Sequence, residues 1–207
     1  MENQVNLELH NLMIRCQQCS LANSRTQVVI GDYGPIYGML FIGEAPGQEE
    51  DRIGRPFVGR SGKLLDEMLS QLGLDRSKVS VLNINKCRPP NNRAPTPTEM
   101  EICGSNWLDK QIKNLVPKLI ITLGSTPLKY FFPNAKMTAS KGNLLVLNSG
   151  IPVYPLFHPS YILRKRNLYQ EYKKDFIAMY KYYLKLKNLD QIITPIENNQ
   201  SNLDNFF

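Results

Sequence analysis

The sequence of 207 residues lacks several features that mark common protein classes. It has no apolar run close to the roughly 20 residues of a membrane-spanning helix. Residues 1–10 lack the basic-then-apolar pattern of a secretory signal. Histidine occurs only twice, at His10 and His158, so any imidazole chemistry depends on one of these two side chains. These absences exclude a membrane-spanning or secreted class and predict an intracellular, cytoplasmic protein.

The chain does have enough apolar sequence for one core and an excess of positive charge. Hydrophobic residues make up 42% of it, which excludes an intrinsically disordered protein, and the length suits one domain. The net charge of +7 favours a phosphate polymer as partner, because bound cations release counterions from nucleic acid. Soluble basic proteins of other functions carry similar charge.

Four cysteines form a C-x2-C pair and two later positions: Cys16, Cys19, Cys87 and Cys103. An intracellular setting argues against disulfides, and a C-x2-C pair suits the ligands of one shared metal centre. Four thiolates fit either zinc or an iron–sulfur cluster, and the spacing leaves these two open. The alternative is four unlinked thiols buried in the core.

Strand-like and helix-like segments alternate along the chain. Strands are predicted at 39–42, 79–82, 119–123 and 153–157, and helices at 62–72, 97–115 and 168–186. Thr96 and Glu99 form a capping box at the start of the second helix. Pro155 indicates an edge or a bulge in the fourth strand. The alternation predicts an α/β fold with a mainly parallel four-stranded sheet covered by helices on both faces.

Ligands of such sheets gather at the carboxyl ends of the strands. The predicted strands lead into 43–47, 83–88, 124–125 and 158–160. Asn83 offers an amide donor and acceptor that match the edge of a pyrimidine base, although Asn after a strand also commonly forms a turn. His158 is a candidate catalytic group at such an end, although an isolated histidine is more often structural.

Two other segments have both a functional and a structural interpretation. Phe57 lies among glycines in 54–59 and would suit stacking on a base, but a loop residue tucked into the core fits equally. An acidic cluster follows the first strand and contains Glu44, Glu49, Glu50 and Asp51. On its own this cluster is typical of a turn with solvated carboxylates.

Taken together, these segments resemble a known family. The matching segments are Gly43-Glu44-Ala45-Pro46-Gly47, Gly54-Arg55-Pro56-Phe57-Val58-Gly59, Asn83-Ile84-Asn85-Lys86-Cys87-Arg88-Pro89-Pro90, His158-Pro159-Ser160 and the four cysteines, in the family's order. Over about residues 9–186 the chain resembles the family 4 uracil-DNA glycosylases. The resemblance implies a domain at 1–187 with a three-layer α/β/α sandwich. It also implies an enzyme that hydrolyses the N-glycosidic bond of deoxyuridine in DNA, leaves an abasic site and so initiates base excision repair.

The resemblance also implies a choice of metal. In that family the four cysteines, here Cys16, Cys19, Cys87 and Cys103, hold a [4Fe–4S] cluster with a structural role. Such a cluster would tie the N-terminal segment to the loop after the second strand and to the following helix. Asn83 lies four residues before Cys87, so the same cluster would brace that strand end.

The implied uracil site contains seven residues: Gly43, Glu44, Ala45, Glu50, Phe57, Asn83 and His158. Asn83 would accept from uracil N3–H and donate to O4, a pattern that cytosine reverses. Phe57 would stack on the flipped base. His158 would donate to uracil O2, where negative charge develops as the base leaves.

The acidic motif departs from related families. Ala45 stands where many other uracil glycosylases place an aspartate that positions water, so no general base is expected there. Glu44 is assigned a supporting role, either positioning water or stabilising the cationic sugar. The family also suggests that Glu50 fills the space near uracil C5 and excludes the methyl group of thymine.

Residues 158–166 correspond to a family loop that enters the minor groove near the flipped base. The predicted DNA contacts are Ser160, Tyr161, Arg164, Lys165 and Arg166. The basic triplet suits phosphate contacts, which position an enzyme without reading sequence. Tyr161, Ile162 or Leu163 would act as an apolar wedge that fills the gap in the base stack.

Residues 188–207 are predicted to be a flexible tail. Its end, 200–207, fits Q-x-x-hydrophobic-x-x-aromatic-aromatic, the pattern that binds PCNA-type sliding clamps, through Gln200, Leu203, Phe206 and Phe207. The alternative is a tail that docks on its own domain. This motif together with the resemblance favours an archaeal thermophile as the source.

Two rival functions remain to be weighed. A relative that binds uracil-DNA tightly or covalently would need an inserted basic loop with a reactive histidine, and the sequence has neither such an insertion nor a histidine beyond His10 and His158. A non-enzymatic iron–sulfur module for DNA binding or electron transfer would not need Asn83, Phe57 and His158 together. We therefore expect a monofunctional, monomeric, nucleoid-associated glycosylase without strand cleavage, because no lysine is implicated as a Schiff-base nucleophile.

Overall fold

One five-stranded sheet organises the chain, whose residues 2–35 and 38–200 are described by a computed structural model. Its strands are β1 (Met39–Gly43), β2 (Val79–Asn83), β3 (Leu119–Leu123), β4 (Leu145–Val146) and β5 (Pro152–Leu156). They lie in the order β2-β1-β3-β5-β4. Every neighbouring pair is parallel except β4 and β5, which are antiparallel.

Nine α-helices lie before, between and after these strands in the described residues. They are α1 (Glu2–Ile14), α2 (Gln48–Ile53), α3 (Arg60–Ser70), α4 (Pro97–Cys103), α5 (Asp109–Leu115), α6 (Ser125–Phe131), α7 (Met137–Ser140), α8 (Pro159–Arg164) and α9 (Tyr169–Gln200). Single 3-10 turns lie at Ser20–Asn23, Arg76–Lys78, Pro90–Asn92 and Arg166–Leu168. In the described part of the chain, no helix has both the length and the apolar character needed to cross a bilayer.

Both faces of the sheet are covered, as alternate side chains of β1 illustrate. Phe41 packs among the apolar residues of α3, α8 and α9 on one face. Ile42 packs with Ile112 and Leu115 of α5 on the other face. Because each fully buried side chain of this size contributes about 1.5–3 kcal/mol, the two clusters hold the layers together. The predicted three-layer α/β/α sandwich is confirmed.

The sheet has one strand more than the four predicted. β4 is only two residues long, too short for a recognisable pattern, and it pairs Leu145 with Val153 and Val146 with Pro152. β5 is therefore an inner strand, but Pro155 lies beyond the end of β4. A proline is tolerated at such a position because no ladder hydrogen bond is required from its nitrogen.

The helix predicted at 97–115 is interrupted by a π-helical turn at Gly104–Leu108. Gly104 is needed there, because a Cβ on it would lie 2.3 Å from the ring of Tyr130. The turn places Cys103 and Trp107 in a buried cluster with Leu9 and Met13 of α1. It therefore orients two residues of this helix toward the N-terminal segment.

Two expectations for the C-terminal part differ from the structure. The segment after His158 is the short helix α8 rather than a loop. Ile162 on this helix is fully buried against the sheet, which removes it from the candidate wedges. The last helix, α9, continues to Gln200, although the sequence pattern predicted an end near residue 186.

Candidate functional site

The strand ends that were predicted to carry function meet at one edge of the sheet. Gly43 at the end of β1 is paired with Asn83 at the end of β2, and Leu123 of β3 with Leu156 of β5. This register brings the segments that follow the four strands to the same level. They border a cavity of about 1020 Å³.

Nearly all of the predicted substrate residues line this cavity. They are Glu44, Ala45, Glu50, Phe57, Asn83 and His158. Gly43 lies directly behind them, because a Cβ on it would be 2.4 Å from Asn83 Oδ1 and 2.6 Å from Phe57 Cζ. A residue without a side chain is therefore needed at Gly43 for Asn83 and Phe57 to occupy their places.

The backbone carbonyl of Asn83 is hydrogen-bonded, whereas its side-chain amide has no hydrogen-bond partner among the described residues. The residue is 3% exposed, and within the described ranges its amide makes no hydrogen bond to the protein. The backbone carbonyl oxygen of Asn83 accepts from Nζ of the buried Lys86 at 2.5 Å. A buried amide without a protein partner is costly unless a ligand satisfies it, so both its donor and its acceptor are available in the cavity.

His158 is the N-cap of α8, and its hydrogen bonds fix its tautomer. Nδ1 accepts from Ser160 N–H at 3.1 Å and lies 2.8 Å from Ser160 Oγ. Burial, assisted by the charge of Arg164, lowers the pKa of His158 from 6.5 to about 4. Near neutral pH the ring is therefore uncharged, and the acceptor role of Nδ1 leaves the proton on Nε2, which becomes a neutral hydrogen-bond donor.

Phe57 has a conformation that is unusual for an aromatic residue. Its φ is 51°, in the left-handed region, and it is 5% exposed. The centroid of its ring lies 5.7 Å from that of His158, with the planes tilted by 34°. The ring and the imidazole thus form adjacent walls of the cavity.

The acidic cluster separates into distinct roles. Glu44 accepts a hydrogen bond from Thr126 Oγ1 of α6, a partner that sequence reasoning missed. Asp51 is buried and accepts from Thr26 N–H at 3.0 and 3.1 Å. Glu49 pairs with Arg52 at the surface. Glu44 and Glu49 both line the cavity, and the partner of Glu44, Thr126, lines it as well.

Glu50 lines the cavity, but its two oxygens are occupied. Oε1 accepts from Val58 N–H at 3.0 Å and from Gly59 N–H at 2.9 Å. Oε2 accepts from Gly47 N–H at 3.1 Å, which connects the N-cap residue of α2 to its first turn. This carboxylate therefore connects the strand-end loop to the loop that carries Phe57.

Positive side chains surround the mouth of the cavity. Ser160, Tyr161 and Arg164 of the predicted DNA contacts line it, whereas Lys165 and Arg166 are exposed on the turn that follows α8. Arg60 and Arg93 also line it and were not predicted. Arg93 is oriented by two hydrogen bonds of 2.8 Å to Glu99, and these hydrogen bonds lower the pKa of Glu99 to about 2.

The four cysteines line one small cavity together with Met13 and Trp107, and all are free thiols. Three of the sulfurs accept hydrogen bonds. Arg25 Nη1 donates to Cys87 at 3.2 Å, Lys86 N–H to Cys103 at 3.3 Å and Trp107 Nε1 to Cys16 at 3.3 Å. In residues 2–35 and 38–200, no three His, Cys, Asp or Glu side chains meet in a group that could hold a metal ion.

In comparisons with known proteins, the family model and three similar relatives all concern uracil-DNA glycosylases. The chain matches the model of the uracil DNA glycosylase superfamily over residues 31–182. It is 46% identical over 155 residues to a type-4 uracil-DNA glycosylase of Thermotoga maritima, covering 74% of this chain and 80% of that protein. Proteins of the same name from Sulfurisphaera tokodaii and Archaeoglobus fulgidus are 42% and 37% identical, each over 79% of this chain and over 78% and 86% of their own lengths.

Proposed function

We propose that this chain, which belongs to the uracil DNA glycosylase superfamily, hydrolyses the bond between uracil and deoxyribose in DNA and leaves an abasic site. The observation that carries this proposal is the cavity at the strand ends. It holds the buried, unpartnered amide of Asn83 next to the rings of Phe57 and His158. An amide, a stacking ring and a neutral donor are together sufficient to bind a uracil base and support its departure.

Asn83 would distinguish uracil from cytosine. Its Oδ1 accepts from uracil N3–H and its Nδ2 donates to O4. Cytosine has an acceptor at N3 and a donor at N4, so binding it would leave buried polar groups unpaired. The hydrogen bond from Lys86 to the Asn83 carbonyl restrains the backbone of this residue, so the amide need not be ordered again at each binding event.

Phe57 would stack on the base after it has left the duplex. Stacking on an aromatic side chain is worth about 1–3 kcal/mol per base, which offsets part of the few kcal/mol that flipping costs. Because the Phe57 ring adjoins His158, a base on this ring has an edge near the imidazole. A base that stacks on Phe57 is therefore also placed near the hydrogen-bond donor of His158.

Substituting Gly43 with Ala should lower the single-turnover rate about tenfold, because the new Cβ would displace the Asn83 amide and the Phe57 ring that it would otherwise approach within 2.6 Å. The rate on a uracil-containing oligonucleotide measures this effect, and thermal unfolding serves as the control for folding. A variant with the wild-type rate would contradict the close packing of these three residues.

His158 would stabilise the departing base. As the bond breaks, uracil gains negative charge on O2, and the Nε2–H of neutral His158 can donate to that oxygen. A hydrogen bond to a developing anion strengthens toward the transition state, so it lowers the barrier rather than only improving binding. The proton stays on His158 in this step, because the imidazole acts as a donor and not as a general acid.

Water attack would proceed without a strong general base at the usual position. Ala45 lines the cavity but has no group that could accept a proton. Glu44, oriented by Thr126, would position the water or stabilise the positive charge that develops on the sugar. Glu50 would contribute to uracil selection as part of the wall near C5, with its oxygens already bonded to backbone N–H groups.

DNA would approach across the basic mouth of the cavity. Arg60, Arg93 and Arg164 are placed for phosphate contacts, and Ser160, Lys165 and Arg166 extend this surface. Tyr161 packs against Phe157 with ring centroids 4.9 Å apart, and Leu163 is half-buried. These two remain the candidates for the wedge that replaces the flipped base.

The cysteine site fits a [4Fe–4S] cluster held by Cys16, Cys19, Cys87 and Cys103. All four thiols line one cavity, and hydrogen bonds to the sulfurs of the kind made by Arg25 and Trp107 are common around such clusters. Bound there, the cluster would supply a structural link between the segment after α1, the loop after β2 and the end of α4.

Substituting Cys87 with Ala should abolish bound iron and lower the melting temperature by about 10 °C or more, because the free energy of metal binding contributes to folding. Iron analysis and visible absorption of anaerobically purified protein, followed by thermal unfolding, measure the effect. A colourless wild-type protein with stoichiometric zinc would refute the cluster.

The predicted clamp motif lies almost entirely outside the described residues, which end at Gln200. We propose that 200–207 bind a PCNA-type sliding clamp. Deleting 200–207 should reduce clamp affinity about 100-fold, because the two phenylalanines and Leu203 would supply most of the apolar contact. Calorimetric titration with the clamp measures the loss, and activity on a short oligonucleotide should stay within about twofold. Unchanged clamp affinity would reject the motif.

A gel assay of an oligonucleotide with one uracil tests the proposed activity. A monofunctional glycosylase gives strand breaks only after alkali and releases one free uracil per break. A tightly binding relative would give a stable protein–DNA complex without turnover. A non-enzymatic iron–sulfur module would give neither product nor a stable complex with uracil. Either of the last two outcomes would overturn the proposal.

A further inference from the structure

The conformation of Phe57 needs support from its surroundings. A left-handed backbone is unfavourable for an aromatic residue, and it persists only where neighbouring contacts determine it. Phe57 has this conformation with a φ of 51° while its ring lines the cavity. The groups that hold the peptide unit after Phe57 therefore determine where the ring lies.

One side of this loop is held by Arg76, which lies outside the cavity. Arg76 is in the 3-10 turn before β2, and its side chain is 18% exposed. Its Nη2 donates to the Phe57 carbonyl oxygen at 2.7 Å, and its Nε donates to Asp66 Oδ1 at 2.8 Å. The guanidinium thus connects the Phe57 peptide to α3 and to the start of β2.

The other side is held by Glu50 and by the close approach of α3. Glu50 accepts from the two N–H groups that follow Phe57, those of Val58 and Gly59. A Cβ on Gly62 of α3 would lie 1.7 Å from the Phe57 carbonyl oxygen, so the helix passes directly against this peptide. Rotation of the Phe57 peptide would require the Arg76 hydrogen bond to break and α3 to move.

We infer that Arg76 is a positioning residue for base stacking: it fixes the Phe57 ring as a wall of the uracil site without touching the base or the DNA. The inference rests on the proposed stacking role of Phe57. Loss of the Arg76 hydrogen bond removes one of the contacts that hold this peptide, so the ring is less firmly fixed in its place beside His158 by Glu50 and α3 alone. DNA binding is unaffected, because the arginines at the cavity mouth are separate from Arg76.

Single-turnover kinetics on a single-stranded uracil oligonucleotide test this inference. Arg76→Gln should lower the maximum rate about tenfold, with the half-saturating enzyme concentration within about twofold of wild type. Arg76→Lys should recover part of the rate, because an ammonium can still donate to the carbonyl. Arg52→Gln is the matched control, since Arg52 also pairs with a carboxylate but is 67% exposed and lies away from Phe57. It should retain the wild-type rate.

The alternative is that Arg76 only anchors α3 through Asp66. In that case Arg76→Gln and Asp66→Asn would lower the melting temperature alike, and both would keep the wild-type rate below that temperature. This outcome, or equal loss of rate in both variants, would overturn the inference. If Arg76→Gln does not fold, folded Arg76→Lys decides. A maximum rate below that of wild type, with the half-saturating enzyme concentration unchanged, supports the inference, and a full wild-type rate overturns it.

Phe57→Leu separates the inference from its premise. If Phe57→Leu retains the wild-type maximum rate, the stacking role fails, whatever the Arg76 variants do. If Phe57→Leu is slow and Arg76→Gln is not, the stacking role stands and the role of Arg76 fails. If wild-type protein releases no uracil, the proposed activity itself fails.

Discussion

Substituting His158 with Ala lowers the single-turnover rate of uracil release by about 100- to 1000-fold, the range observed when one donor to a developing anion is removed. The effect is large because His158 Nε2–H is a neutral donor in a desolvated cavity, where a hydrogen bond to an anion is stronger than in water. Quantifying alkali-labile breaks under enzyme excess measures it. The half-saturating concentration of DNA should change little, because the base gains its charge only as the bond breaks.

The pH dependence provides the control for the charge state of His158. Burial lowers the pKa of His158 to about 4, so the folded enzyme keeps a neutral imidazole as pH falls through the ordinary value of 6.5. The ratio of wild-type to His158→Ala rates should therefore stay constant from about pH 8 to about pH 5. A ratio that collapses above about pH 7 would show that the charged imidazolium is the active form, and would contradict the neutral donor.

Substituting Asn83 with Ala lowers the rate on uracil by about 100- to 1000-fold, because two hydrogen bonds to the base edge are lost and N3–H and O4 become buried without partners. The same single-turnover assay measures the loss. Discrimination against cytosine should weaken as well, since Ala presents neither a donor nor an acceptor. The rate on a cytosine-containing oligonucleotide should therefore fall far less than the rate on uracil.

Asn85→Ala is the matched control for this variant. Asn85 is fully buried two residues further along, and its Nδ2 donates to the Glu99 carbonyl at 2.9 Å, outside the cavity. Its loss should lower the melting temperature and leave the rate near that of wild type at temperatures where the variant is folded. Equal losses of rate in both variants would mean that Asn83 supports the fold and does not read uracil.

The order of the elements and the place of the site were predictable because strand periodicity is local. The parallel strands end at Gly43, Asn83, Leu123 and Leu156, and each end is marked by a change from apolar residues to Gly, Asn or His. β4 was missed because a strand of two residues is too short to show an alternation of apolar and polar side chains. The length of α9 was missed because apolar periodicity weakens after residue 186, whereas the helix continues to Gln200.

The different hydrogen-bond partners of the carboxylates were not predictable from the sequence. Glu44, Glu49, Glu50 and Asp51 lie within eight consecutive positions. Glu44 precedes α2, whereas the other three lie in its first turn and point in different directions. Only the hydrogen bonds separate the carboxylate that faces Thr126 from the one that holds the Val58 and Gly59 amides. Arg76 was missed for a similar reason, since its partner is a backbone carbonyl 19 positions away.

The state of His158 also depended on the fold. The sequence placed a histidine at a strand end, but Ser160 N–H as the donor to Nδ1 follows from the helix cap that α8 provides. The lowered pKa results from burial within the cavity wall. Together, these two facts turn a candidate catalytic histidine into a neutral donor with a defined direction.

Leaving-group stabilisation by His158 is tested most directly by changing the leaving group. Fluorine at C5 makes the departing base a weaker base and is close in size to hydrogen, so 5-fluorouracil should still fit even if Glu50 excludes the methyl group of thymine as proposed. Single-turnover rates of wild type and His158→Ala are measured on DNA that contains uracil or 5-fluorouracil. We predict that the ratio of the wild-type rate to the His158→Ala rate is clearly smaller with 5-fluorouracil. A more stable departing anion depends less on a hydrogen bond from His158. Equal deficits on both bases would contradict stabilisation of the departing anion by His158.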